Sequence, residues 1–398
     1  MTQMTREIQG DSADRLVDAG LELALDRGLG ALTARALAER TGLSPSALNY
    51  HLGGREVLVG RVLERALTAS QDWAARRLEE IGDEAGLPAW ASPANILAAA
   101  IGERVNGFRP WALLLAEFES EAETSPQLRD GVGSQVAGTV EFWRSAAMGL
   151  GQTPSSAAVW SDLALGLTQL FLGEEPTVAK APWIFDAAAR AEIRMRRDPI
   201  VPVAERGVGA AERLSAEAHA SEGARRLLNA ALRVIAEKGA ERLTQREVAA
   251  SAGLSLAATT YFFRTKAELI AAAFHELHRQ VSAQALATND LQEGLAGAIL
   301  EDGGESPTWR VRAMEALQLS SARDPSLAPT ARELRATRGA TSLRWLRSLG
   351  LEVDRLDAFV VSTTMSGVVQ RTRFATPGQR RIALAEGQKR VLAELFGL

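Results

Sequence analysis

The segment LTARALAERTGLSPSALNYHLGGREVL, which occupies 32–58, returns 211 positions later as LTQREVAASAGLSLAATTYFFRTKAEL at 243–269. Aligned without a gap over 15–58 and 226–269, the two copies agree at 15 of 44 positions. Unrelated segments would share only a few, so the chain contains an internal duplication. Its 398 residues exceed one ordinary compact core and suffice for two similar halves.

The matched residues are mostly helix punctuation and core. Leu16, Gly20 and Leu23, with Leu227, Ala231 and Val234, have the i, i+4, i+7 spacing of a helix that buries one face. Gly28 and Gly239 end it, as residues free to take positive φ do. A second, shorter helix starts at Thr33 or Thr244 and stops at Gly42 or Gly253; Thr244 and Glu247 have capping-box spacing. After a three-residue turn Ser44 or Ser255 caps a third helix, with Pro45 at its first position in the first copy. Two short helices joined by a tight glycine turn make a helix-turn-helix, whose second helix fits the DNA major groove. Arg55 and Lys266 sit at the start of the next helix, where a cation and unpaired N–H groups together favour a phosphate.

The order helix, L-T-x-R-x-[LV]-A, glycine turn, S-x-x-A, Y-[HF]-[LF]-x-x-[RK], long apolar helix resembles the DNA-binding domain of the tetracycline-repressor (TetR) family. The resemblance covers about 50 residues in each half. It implies that Thr33, Ser44, Tyr50 and Arg55, with Thr244, Ser255, Tyr261 and Lys266, contact phosphate. Arg35 and Arg246 would meet phosphate or a guanine edge. The remaining reading positions are Pro45, Ser46, Asn49 and His51 in the first copy and Leu256, Ala257 and Thr260 in the second. Many family members carry a tyrosine one place earlier, where Asn49 and Thr260 stand, so the tyrosine contact falls to Tyr50 and Tyr261.

Everything else is helical in period, with no alternating strand pattern. The fold class expected is all-α: two TetR-like halves, each a DNA-binding unit plus a helical ligand-binding and dimerisation domain, paired as an intramolecular pseudo-dimer. The boundaries are 11–58 and 59–197, a linker at 198–221, then 222–269 and 270–398. Helices are predicted near 94–106, 111–122, 127–150, 157–172 and 183–197, and again near 283–300, 308–321, 326–349, 354–373 and 379–396. The last two of each half are expected to form a four-helix bundle across a pseudo-twofold. Trp111, Leu115, Phe118, Trp143 and Trp160, and in the second half Trp309, Met314, Leu317, Phe359 and Met365, fall on interior faces and are candidates to line a ligand cavity; ordinary core packing gives the same spacing. EFESEAE at 117–123 reads as a solvated face, with a site for a cationic ligand as the sharper alternative.

Composition narrows the chemistry. The chain has no cysteine, which removes thiolate nucleophiles and cysteine-held metals, and only four histidines. No nucleophile elbow, metal-ligand cluster or glycine-rich phosphate loop appears, so neither an enzyme, nor a cofactor, nor a metal is expected. No apolar run approaches a membrane span and the N-terminus lacks a signal core, which points to the cytoplasm. Net charge is −4, yet 223–274 carries eight Lys/Arg against four acids, whereas 14–67 has seven of each. The expected function is a ligand-responsive transcriptional regulator, a repressor whose fused halves read two half-sites of one double-stranded operator. Its partners are that DNA, a small-molecule effector and, as a further possibility, a second tandem chain. The alternative is a ligand- or protein-binding helical module whose DNA-reading helices are vestigial.

Overall fold

A computed structural model describes residues 3–44, 50, 53–83, 86–88, 90–175, 177–201, 221–240, 243–287 and 309–398. Side chains at 3–12, 278, 281–287, 309–312 and 334 lie outside the description, as do most of the expected linker and residues 288–300 of the helix expected at 283–300. Among the described residues there is no strand. The first half comprises α1 (Gln3–Arg27), α2 (Ala34–Thr41), α3 (Arg55–Gly82), α4 (Pro93–Asn106), α5 (Arg109–Glu121), α6 (Pro126–Gly149), α7 (Pro154–Leu172) and α8 (Lys180–Arg196). The second comprises α9 (Glu222–Lys238), α10 (Gln245–Ala252), α11 (Leu256–Phe262), α12 (Lys266–Ala287), α13 (Trp309–Arg323), α14 (Ala328–Ala336), α15 (Ala340–Ser348), α16 (Arg355–Arg371) and α17 (Pro377–Phe396).

The repeat's punctuation behaves as its residue types require. Gly28, Gly42, Gly239 and Gly253 all take positive φ, between 64° and 86°. Thr33 and Thr244 accept the N–H groups of Ala36 and Glu247, each at 3.2 Å, and so cap α2 and α10. The Glu247 carboxylate pairs with Lys238 instead of folding back onto its own helix start. Each reading unit closes over its own core. In the first, Leu16, Leu32, Leu37, Leu58 and Val62 pack with Phe118 of α5; in the second, Leu227, Leu243, Val248, Leu269 and Phe274 pack with Leu317 of α13.

A third, larger core spans both halves and lies among α7, α8, α16 and α17, each of which touches the other three. Here α7 and α16 cross at backbone contact. An ideal β-carbon at Gly166 would stand 2.0 Å from the Thr363 carbonyl oxygen, and one at Gly367 would stand 1.7 Å from that of Asp162. The two contacts are reciprocal: residues 201 positions apart exchange places, as across a twofold axis. Charges flank the crossing. Arg371 donates from Nε to buried Asp162 at 2.7 Å. At the start of α16, Asp354 and Asp357 form a capping box, and they also receive Arg190 at 2.8 Å and a two-pronged Arg194 at 2.7 and 2.8 Å from α8.

Two expectations need correction. The helix expected over 326–349 is broken: α14 and α15 are separated at Gly339, whose φ of 86° turns the chain and whose β-position lies 2.8 Å from the backbone of Ala358 and Phe359. Helical period continues through such a break, so the sequence hides it. EFESEAE is not a solvated face. Glu117 binds Arg323, and Glu119 and Glu123 bind Arg373, all from the second half.

Gly367→Ala should therefore destabilise the protein by about 3 kcal/mol or more, since neither backbone can retreat without parting the central core. Gly138, exposed in α6 with no atom near its β-position, should gain roughly 0.5–1 kcal/mol as alanine. Denaturant unfolding of the two variants measures the contrast.

Candidate nucleic-acid interface

The second reading unit presents its third helix outward. Ser255 caps α11 by accepting the Ala258 N–H at 3.1 Å, and Thr259 and Phe263, both 0% exposed, fasten the helix to the core. Leu256, Ala257, Thr260, Tyr261 and Arg264 are exposed. The first four, at i, i+1, i+4 and i+5, share one face of the helix, and Arg264 follows just beyond its end at Phe262. The Thr260 hydroxyl lies within bonding distance of the Leu256 and Ala257 carbonyls, at 3.2 and 3.1 Å, so its hydrogen bonding is met within the helix. Arg264, exposed just past the helix end, was not among the residues singled out by sequence.

The first unit has the same frame, but Pro45, Ser46, Asn49 and His51 lie outside the described residues. Tyr50 is described and is 73% exposed; Tyr261 is 81% exposed. These are the chain's two tyrosines. Tyr261 rests edge-on against Phe262, with centroids 5.1 Å apart, and both tyrosines leave most of their surface open to a contact outside the chain.

The flanking polar residues divide by what they already hold. Thr33, Thr244 and Ser255 accept backbone N–H groups through their oxygens, and each hydroxyl hydrogen remains able to donate to an anion. Arg35, its side chain 90% exposed, pairs with Glu39 at 2.9 Å. An exposed pair of this kind is worth about 0–1 kcal/mol and yields readily to a phosphate. Arg246 is exposed, with no hydrogen bond or ion pair among the described residues, because alanine 250 replaces the acid that Arg35 meets. Arg55 donates to the Leu32 carbonyl at 2.9 Å and so also braces its own unit. Ser44 and Lys266 are exposed at the positions expected. In the second unit Gln245 adds a strut, donating to the Phe263 carbonyl at 2.9 Å; its counterpart in the first is Ala34.

The first unit is pinned to the second half. Glu117 of α5 accepts the Leu29 N–H at 2.6 Å with one oxygen and Arg323 Nε at 2.9 Å with the other. Arg323, the last residue of α13, also reaches the Leu25 and Asp26 carbonyls, each at 3.1 Å, at the C-terminal end of α1. A cleft of about 640 Å³ separates the two reading units beside this contact.

The ten cavity candidates do not converge. Phe118, with Leu115, packs into the first unit's core, Met314 and Leu317 into the second's, and Trp160, Phe359 and Met365 into the central core. Trp111 is half-buried between two cores, and the Trp309 side chain lies outside the described residues. Leu115 and Trp143 do share a cavity, of only about 20 Å³, with Arg104, Glu119, Thr168 and Gln370. Trp143 Nε1, Thr168 Oγ1 and Gln370 Oε1 are buried there without a hydrogen-bond partner. Among the described residues no group of acids and histidines could hold a metal, and no helix is long and apolar enough to cross a membrane.

Comparison with known proteins finds the family described as "Bacterial regulatory proteins, tetR family" twice, at residues 16–62 and 227–273. Among solved structures, the chain is similar to the multidrug binding protein EbrR complexed with imidazole. The two are 27% identical over 42% of this chain and 95% of that one, with a TM-score of 0.30. No curated protein matches.

Replacing Arg323 by alanine should cost about 1.5–3 kcal/mol, because it leaves Glu117 without its cation and the end of α1 without its donor. Amide exchange should accelerate in α1 and not in α9.

Proposed function

Because the chain carries the DNA-binding unit of the tetR family of bacterial regulatory proteins twice, we propose that its two fused halves read the two half-sites of one operator. The observation that carries this reading is the exposed stripe on α11, matched in register by Tyr50 and supported by a buried frame. The reading helices of family dimers enter successive major grooves about one DNA turn, roughly 34–36 Å, apart. The reciprocal crossing of α7 and α16 supports a pseudo-dimer within one chain. Tethering puts each half at about millimolar effective concentration for the other, so no second chain is required.

Regulation by a ligand is the second part of the proposal. Three buried polar atoms without partners around one small cavity are what an absent polar ligand would satisfy. At about 20 Å³ the cavity is closed to an organic molecule, which needs roughly 300 Å³ or more. An effector would select a state in which α5, α6 and α7 have moved apart. Since Glu117 on α5 holds the first reading unit, that motion would change the spacing of the reading helices and release DNA, the action of a repressor.

Selection of bound fragments from random DNA is the direct test, and a protein with no salt-dependent, sequence-selective binding would instead be a helical module with vestigial reading helices. Arg246→Ala should weaken binding to the selected site by about 1–3 kcal/mol with the melting temperature unchanged.

The operator should be an imperfect palindrome, because the faces differ: Asn49 suits adenine, whereas the methyl groups of Ala257 and Thr260 suit thymine. One chain should fill it, or an even assembly in which each chain pairs its own halves. Base-by-base substitution of the site and light scattering of the complex test these points. Identical preferences in the two half-sites, or an obligatory pairing of first halves from two chains, would refute them.

A further inference from the structure

The two reading units differ most in a place that does not face the reading stripe. Along α1 of the first unit, Asp14, Asp18 and Glu22 recur every fourth residue. They meet Arg61 at 3.7 Å, Arg65 at 3.9 Å and Arg40 at 2.6 Å, so that a ladder of ion pairs closes the groove between α1, α2 and α3. At the same positions of α9 stand Arg225, Asn229 and Arg233, and the three arginines opposite are replaced by Ala272, Glu276 and Ser251. The acidic rail has become basic and its partners have gone.

What results is an open groove of about 680 Å³ lined by Arg225, Arg226, Arg233 and Arg279 against a single acid, Glu276. Glu276 adds little negative field. Burial acts to raise its pKa, but hydrogen bonds from Arg279 at 2.6 and 2.7 Å and from Gln280 at 2.7 Å outweigh this and hold it below its ordinary value, so its charge is spent on Arg279. Arg225 pairs with Glu222 at the rim. Arg233 is exposed and has no hydrogen bond or ion pair among the described residues. Clustering arginines adds self-repulsion to a fold, and the first unit shows the same frame closed by ion pairs.

We propose that this groove carries the sugar–phosphate backbone of the operator beyond the base pairs read by α11, on the second half alone; the inference rests on the reading that α11 docks on DNA. Position supports it. Arg226 donates to the Ala252 carbonyl at 2.6 Å, three residues before Ser255 opens the reading helix, and an ideal β-carbon on Gly223 would touch Phe262 at its far end. A strand passing Ser255 is thereby led toward the arginines. The lining also favours a nucleic acid over a protein segment. Apart from Ala230 and Ala252 it offers no apolar wall, whereas a peptide is held chiefly by apolar anchors in pockets. Guanidinium forks match phosphate oxygens, and backbone contacts of this sort carry no sequence preference.

The experiment uses the full chain and the DNA selected above. Affinity is measured at two salt concentrations on a duplex ending at the outer edges of the half-sites, and on duplexes lengthened by six base pairs of scrambled sequence on either side. Lengthening beyond the second half-site should raise affinity at least about fivefold at low salt, whatever the added sequence. It should also steepen the salt dependence by about 0.9 for each phosphate engaged. Lengthening beyond the first should do neither. The variant Arg225→Gln/Arg233→Gln should bind the short duplex as the wild type does and lose the gain; Arg233→Gln alone, an exposed change that leaves the core intact, should lose part of it. An equal gain on both sides, no gain on either, or an equal loss on short and long duplexes in the variants overturns the inference. So does binding of a polyglutamate peptide that the variants abolish while the gain from longer DNA persists. Failure to bind even the short duplex would fell the reading of α11 itself, a different outcome.

Discussion

The arrangement hangs on two glycines. At Gly166 and Gly367 the backbones of α7 and α16 approach so closely that no side chain fits between them, and this fixes both the crossing and the axial register of the two halves. Helices that meet through long side chains can slide by trading rotamers; helices that meet backbone to backbone have one docking position. From that position α8 and α17 take their places, and through α5 and α13 the two reading units are held apart at a set distance. Polar side chains lie buried beside the contact, among them Asp162, Thr363 and Thr364. The carboxylate of Asp162, whose pKa burial raises, is kept within reach of Arg371, so the charge at the crossing is paired rather than stranded.

The halves share a frame but not its fittings. Two-pronged Arg194 and Arg190 grip Asp354 and Asp357 at one end of the bundle. At the equivalent place on the other end, Val391 and Leu395 stand where those arginines stood, and Ser156 is held instead by Glu394 at 2.7 Å. The reading units repeat the theme. Arg323 fastens the first, whereas the counterparts of Glu117 and Arg323 for the second are Ala316 and Thr124, which offer no equivalent charge pair. One unit is therefore fastened to the helical body by a charge pair, and the other by apolar packing against Leu317 and Leu327.

How much of this the sequence disclosed depended on range. Gly28, Gly42, Gly239 and Gly253, and the capping Thr33, Thr244 and Ser255, act within four residues of themselves, and local pattern identified them. Glu117 looked like part of a solvated run because its partner lies 206 residues away. The same distance problem scattered the cavity candidates. Helical period marks a side chain as inward, but Phe118, Trp160 and Met314 face three different interiors, and spacing along one helix cannot say which. Gly339 was silent for another reason: the residues on either side keep helical period, and only the nearness of Ala358 shows why the helix must stop. Arg264 stands at an unspecified position of the motif, between Phe263 and Lys266, so the pattern did not mark it.

Asp162 has a consequence for how such a chain can evolve. Its counterpart across the axis is Thr363, and the counterpart of Arg371 is Leu170. Were the gene to split and the first half to pair with a copy of itself, each Asp162 would face a leucine, and two buried carboxylates would lose the arginine that donates to them. The second half paired with itself would bury two arginines against threonines. Neither half could pair with its own copy through this interface without a misplaced charge. In a fused chain the two sides of the crossing need fit only each other, and these two have become one-way complements, like a plug and its socket.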